Sequence, residues 1–147
     1  MKRVKGFTLV ELAVVVAVSA IILWLGYNSF KEWKESSSIE NDVQRIYSEI
    51  QKERLKAFTQ KKKVEITCSD KRLRIKETDL DSGKVSFSEI ALNNPFEITN
   101  SYKKIKINEK GLFSLTGKIE VKGTYRSSPE FDCIVISRNR IRMEKCK

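Results

Sequence analysis

One carboxylate stands alone among the first thirty-one residues: Glu11, inside a run from Phe7 to Tyr27 otherwise interrupted only by Thr8, Ser19 and Gly26. Placed in a spanning helix, such a charge costs on the order of 2.5 to 3.5 kcal/mol, which marks it as a functional residue in need of a cationic partner. A chain cut before Phe7 would supply one. The new α-ammonium lies four residues ahead of Glu11, and in a bundle of helices the ammonium of one copy neutralises the Glu11 of its neighbour, so that assembly offsets desolvation.

A second constellation is basic. Arg140 and Arg142 are two residues apart, so on a strand they project from one face, and Arg138, Lys145 and Lys147 extend the positive character. Such a patch holds phosphates without reading base sequence. The competing reading is a solvated edge hairpin whose cations discourage edge-to-edge pairing. The chain holds 29 Lys and Arg against 19 Asp and Glu, a formal +10 that favours anionic partners in general.

Enzyme chemistry has little to build on. There is no histidine, so the usual general base and the commonest metal ligand are both missing, and no G-x-S-x-G, C-x-x-C or phosphate-binding glycine loop is present. The reading is of a non-enzyme with neither cofactor nor metal. The three cysteines, Cys68, Cys133 and Cys146, all lie in the polar part. If Asn139-Arg140 forms a two-residue turn, Arg138 pairs with Ile141 and the count sets Cys133 opposite Cys146, a register that permits a disulfide. Cys68 with either partner, or three buried thiols, are the alternatives.

The elements that must position these residues divide the chain in two. The run from Phe7 to Tyr27 extends roughly 30 Å as a helix, about the thickness of a bilayer core. Lys2, Arg3 and Lys5 precede it, which keeps the N-terminus cytoplasmic and sends the rest across the membrane. Trp24 and Tyr27 fall at the far interface. An uncleaved anchor, or a secretory signal cut after Ala20, also fits the run, but neither accounts for Glu11. Residues 39–58 place Ile39, Val43, Ile46, Tyr47, Ile50, Ala57 and Phe58 at mostly three and four spacing, an amphipathic helix. Ser36, Ser37 and Ser38 suggest a kink, with Ser38 a cap, and Lys61, Lys62 and Lys63 a solvated helix end.

Beyond Lys63 the period becomes two: Val64, Ile66 and Cys68; Leu73 and Ile75; Val85, Phe87 and Ile90; Ile105 and Ile107; Leu112 to Val121; Cys133 to Ser137; Ile141 to Met143. With no strand, helix, strand alternation, the expected class is α+β: a long N-terminal helix packed on a small antiparallel sheet or two-sheet sandwich of about seven strands.

Lys5-Gly6-Phe7-Thr8-Leu9-Val10-Glu11-Leu12 resembles the class III signal of type IV pilins and pseudopilins. The resemblance implies that a prepilin peptidase cuts between Gly6 and Phe7, that Phe7 is N-methylated, and that Glu11 directs subunit docking. Many filament-forming members carry a proline near mature position 22. Here Asn28 stands there, with Gly26 nearby as a weaker breaker. Lys110-Gly111-Leu112-Phe113, Thr116-Gly117-Lys118-Ile119-Glu120-Val121, Ile134-Val135-Ile136-Ser137 and Arg140-Ile141-Arg142 are similar to the GspH/FimT branch of minor pilins. Some members linked to natural transformation have a C-terminal Gly-Arg-x-Arg motif that contacts DNA. Asn139-Arg140-Ile141-Arg142 matches it in both arginines but not the glycine, and Asn also adopts the positive φ of a tight turn.

The organisation expected is therefore a leader at 1–6, a transmembrane and filament-core helix at 7–30, an amphipathic half at 31–62 and a globular β domain at 63–147. The implied role is a minor type IV pilin or type II secretion pseudopilin, anchored in the bacterial inner membrane by a single pass and later assembled into a periplasmic or cell-surface filament. The implied partners are other subunits, the peptidase and, through Arg138, Arg140, Arg142, Lys145 and Lys147, double-stranded DNA for competence. The alternative is a purely structural tip or initiation subunit of a secretion pseudopilus that binds no DNA.

Overall fold

The computed structural model describes residues 8–146. One helix, α1 (Leu9–Gln60), runs 52 residues, about 78 Å at 1.5 Å per residue. Thr8 caps it with extended backbone: its Oγ1 accepts from the Glu11 amide at 3.2 Å while Glu11 Oε2 accepts from the Thr8 amide at 2.9 Å. Lys61, in the left-handed region at φ 52°, closes the other end by donating its N–H to the Ala57 carbonyl.

α1 runs uninterrupted through Ser36–Ser38, where a kink was expected, and Ser38 is interior to the helix rather than a cap. These hydroxyls are satisfied by side chains instead of competing with the ladder: Ser36 Oγ donates to Glu40 at 3.3 Å, and Ser38 Oγ accepts from Asn94 Nδ2 at 3.0 Å. Gly26 does not break the helix either. The lysine run is not a solvated helix end, because only Lys61 belongs to the cap. Lys62 and Lys63 already lie in β1, where Lys62 Nζ pairs with Glu77 at 3.2 Å.

Nine strands follow among the described residues: β1 (Lys62–Ser69), β2 (Arg72–Asp79), β3 (Val85–Ala91), β4 (Phe96–Thr99), β5 (Lys104–Ile107), β6 (Phe113–Leu115), β7 (Gly117–Val121), β8 (Cys133–Ile136) and β9 (Ile141–Glu144). All pair antiparallel, in a five-stranded sheet ordered β3-β2-β1-β5-β6 and a four-stranded sheet ordered β4-β7-β8-β9. The α+β class stands, with nine strands in place of about seven. One extra is β4, only four residues long. The other arises because the segment read as one strand divides at Thr116, β6 joining one sheet and β7 the other. Asn100 holds that crossing, its Nδ2 donating to the carbonyls of Lys104 (2.7 Å) and Thr116 (2.9 Å). A Cβ on Gly117 would sit 2.9 Å from the same nitrogen, so glycine is what fits there.

The stripe Ile39, Val43, Ile46, Ile50 and Ala57 is buried against both sheets, with Ile66, Leu73, Ile75, Ile105 and Phe113 from one and Phe96, Ile119, Ile134 and Ile136 from the other. It is one core, and α1 is its lid. Phe58, expected on the stripe, is 58% exposed at the far end.

Candidate assembly and membrane surface

The same helix serves two environments. From Leu9 to Lys34 every residue is exposed, including Leu9 at 85% and Trp24 at 68%, and the first buried residue is Ile39. The exposed half is long and apolar enough to cross a membrane. Two polar side chains within the apolar run bond locally, as a bilayer favours: Ser19 Oγ donates to the Val15 carbonyl at 2.7 Å, and Glu11 Oε2 accepts from both the amide and the hydroxyl of Thr8. Trp24, Tyr27, Phe30 and Trp33 follow, all exposed, with the rings of Phe30 and Trp33 5.9 Å apart. Amphipathic rings of this kind collect at a headgroup layer. Gly6 and Phe7, the residues of the expected cut and methylation, lie outside the described residues.

What fixes the exposed half relative to the domain is a set of charged side chains on the second half of α1. Asp42, 2% exposed, accepts from the backbone amides of Asn93 (3.0 Å) and Asn94 (2.8 Å) and from both their side-chain amides. Glu35 accepts from the Ser127 amide at 3.1 Å and Glu40 from the Glu130 amide at 2.8 Å. Arg54 donates to the carbonyls of Gly111 (2.7 Å) and Asn139 (3.3 Å), with its guanidinium over the Phe113 ring. Asp42 grips the β3–β4 loop, Glu35 and Glu40 both grip the β7–β8 loop, and Arg54 reaches the β5–β6 and β8–β9 turns. A signal existed in the sequence for two buried acids of this helix, Asp42 and Glu53: they sit three residues after Ile39 and Ile50, on the apolar stripe itself.

Glu53 is fully buried. Its Oε1 accepts from Lys56 Nζ at 2.6 Å, while Oε2 has no partner among the described residues. Burial pushes its carboxyl above the usual range. Lys56 also reaches Glu77 at 3.1 Å. Burial pushes Glu77 up as well, but hydrogen bonds from Lys56 and Lys62 outweigh it and hold this carboxyl low.

In the C-terminal hairpin the turn is Arg138-Asn139, one residue earlier than expected. Ser137 N–H donates to the Arg140 carbonyl at 2.8 Å, and Ile136 faces Ile141. Cys133 therefore lies opposite Glu144, not Cys146. The structure nonetheless joins Cys133 to Cys146, Cα to Cα 5.9 Å, as a diagonal link made after the chain leaves β9 and the Cys146 amide turns onto buried Asp132 at 2.6 Å. The grouping of Asp132 with these two sulfurs cannot hold a metal while the sulfurs are bonded to each other. Cys68 keeps a free thiol, half-buried with Sγ 3.3 Å from the Phe96 carbonyl, and burial, helped by Asp70, pushes it up to about 12.

Of the five basic residues, the four among those described are engaged differently. Arg138 and Arg140 are exposed at the hairpin tip and make no ion pair among the described residues. Arg142 is shared with Glu144 at 3.1 Å, and Lys145, at the other end of the hairpin, donates to Ser128 at 2.7 Å. Lys147 lies outside the described residues.

Residues 1–27 match the family model described as the prokaryotic N-terminal methylation motif. No curated protein and no solved structure matches the chain.

Proposed function

We propose, for a chain whose N-terminal segment is that of the type IV pilin and pseudopilin superfamily, a place among the minor subunits: a pilin-like subunit that waits in the membrane on residues 9–34 and is then packed, helix against helix, into a filament or its initiating tip. One observation carries this. From Leu9 to Lys34 every residue of α1 is exposed, whereas from Ile39 onward its apolar stripe is buried against both sheets, so the exposed half is a helical rod offered to other subunits. Cleavage between Gly6 and Phe7, with methylation of Phe7, would place an ammonium on each mature rod and give Glu11 its partner in a neighbour.

The test is Glu11→Ala expressed in cells that assemble the wild-type subunit. The variant should insert in the membrane and be processed, yet be missing from sheared filaments. Normal incorporation would overturn the docking role. The β architecture, a helix over two small antiparallel sheets, is the observation in favour of the GspH/FimT-like minor branch.

A second reading concerns the hairpin tip, where Arg138 and Arg140 stand exposed and without ion pairs among the described residues. It predicts salt-sensitive binding of duplex DNA that is lost in an Arg138→Ala, Arg140→Ala pair. Arg142 and Lys145, already engaged, should matter less. Binding indifferent to the tip, or none, leaves the purely structural subunit.

A further inference from the structure

Where α1 leaves its apolar stretch, the domain folds back toward it. The loop after β7 descends beside the helix, and between them lies a cavity of about 720 Å³ lined by Asn28, Lys31, Glu32, Thr124, Tyr125 and Arg126. At 1.5 Å per residue, a bilayer core of about 30 Å beginning at Leu9 ends near residue 28, which sets this cavity at the depth of the headgroups. The exposed rings of Trp24, Tyr27, Phe30 and Trp33 mark the same level.

Charges of both signs line the wall: Lys31 and Arg126 bring two cations to it, one from the helix and one from the loop, and Glu32 and Glu35 bring two carboxylates, of which Glu35 already accepts from the Ser127 amide. Two backbone anchors hold the loop in place, the Ser127 amide on Glu35 and the Glu130 amide on Glu40, so the cavity does not depend on a loose segment. Beside it, sharing Thr124 and Tyr125, is a second cavity of about 260 Å³ walled by Ser127, Ser128 and Lys145. The Ser127 hydroxyl is buried there with no partner among the described residues. Hydroxyls and cations around a recess are the donors a phosphodiester requires.

We infer that this recess takes the phosphodiester headgroup of a membrane phospholipid from the leaflet at which α1 emerges, with the phosphate held by Lys31 and Arg126 and the acyl chains lying along the exposed apolar helix. A lipid supplies both halves of the match, whereas a free anion uses only the polar half. Seating the headgroup braces the domain on the membrane surface while the subunit waits, and helix extraction must break it. The inference rests on the membrane-inserted state proposed above.

The experiment uses the full chain, in maltoside micelles and in nanodiscs of phosphatidylglycerol, with hydrogen exchange read at residues 124–128. Nanodiscs should slow exchange there about tenfold, as for a site at roughly ten times its Kd. Lys31→Glu with Arg126→Glu, both exposed positions, should abolish the slowing while the β-sheet amides stay unchanged. Inorganic phosphate added to the micelles should have no such effect. Equal slowing in the double variant would overturn the site, as would no slowing, and equal protection by inorganic phosphate would overturn the lipid as occupant. A chain that fails to co-elute with nanodiscs would instead count against the membrane-inserted reading itself.

Discussion

The Asp42 carboxylate on α1 accepts two hydrogen bonds from Asn94, one from its backbone amide and one from its side-chain amide, each at 2.8 Å. Through this pair, and a matching pair from Asn93, the connection between β3 and β4 is fastened to the helix about fifty residues upstream. The contact ties the loop between the two sheets to the element that covers both.

Asp42→Ala should therefore cost about 3 kcal/mol in urea unfolding, because it leaves two backbone amides without an acceptor beneath a packed helix. Asp42→Asn should cost less, since one oxygen remains. A loss below about 0.5 kcal/mol for the alanine variant would show that water replaces the carboxylate.

Glu53 and Glu77 should move stability with pH in opposite directions. The folded carboxyl of Glu53 is raised, so its contribution is fully present below its ordinary value near 4.5 and is lost as pH rises through the folded value. The folded carboxyl of Glu77 is lowered, so its contribution is present above that value and is lost as pH falls through the folded one. Glu53→Gln should gain on wild type as pH rises from 4 to 7, and Glu77→Gln should lose ground over the same range. Parallel curves for wild type and Glu53→Gln would mean that Glu53 titrates as it does in the unfolded chain.

Reducing Cys133–Cys146, or replacing both by serine, should lower stability by about 3 kcal/mol, as expected for a closed loop of some 13 residues. The terminal strand should fray first, because Cys146 is what turns the chain back onto Asp132. Cys68 is the internal control. With a thiol pushed up to about 12, it should resist alkylation at pH 8 in the folded protein and react readily once the chain is unfolded.

Much of this was legible in the order of residues, because the signals are local. An apolar run with one glutamate, a stripe at three and four spacing and alternation at two each specify an element through its own geometry, and they marked the spanning half of α1, the buried half and most strands. The tertiary structure decided what depends on distant partners. It determined that Ser36–Ser38 stay helical because Asn94 and Glu40 engage their hydroxyls, and that Thr116 divides one segment between two sheets because Asn100 holds it. It set the turn at Arg138-Asn139, where Arg54 reaches the Asn139 carbonyl, and it engaged Arg142 with Glu144 and Lys145 with Ser128. Asp42, Glu35 and Glu40 find their amides on loops fifty to ninety residues away, and no periodicity records those amides because a hydrogen bond between distant segments leaves no local pattern.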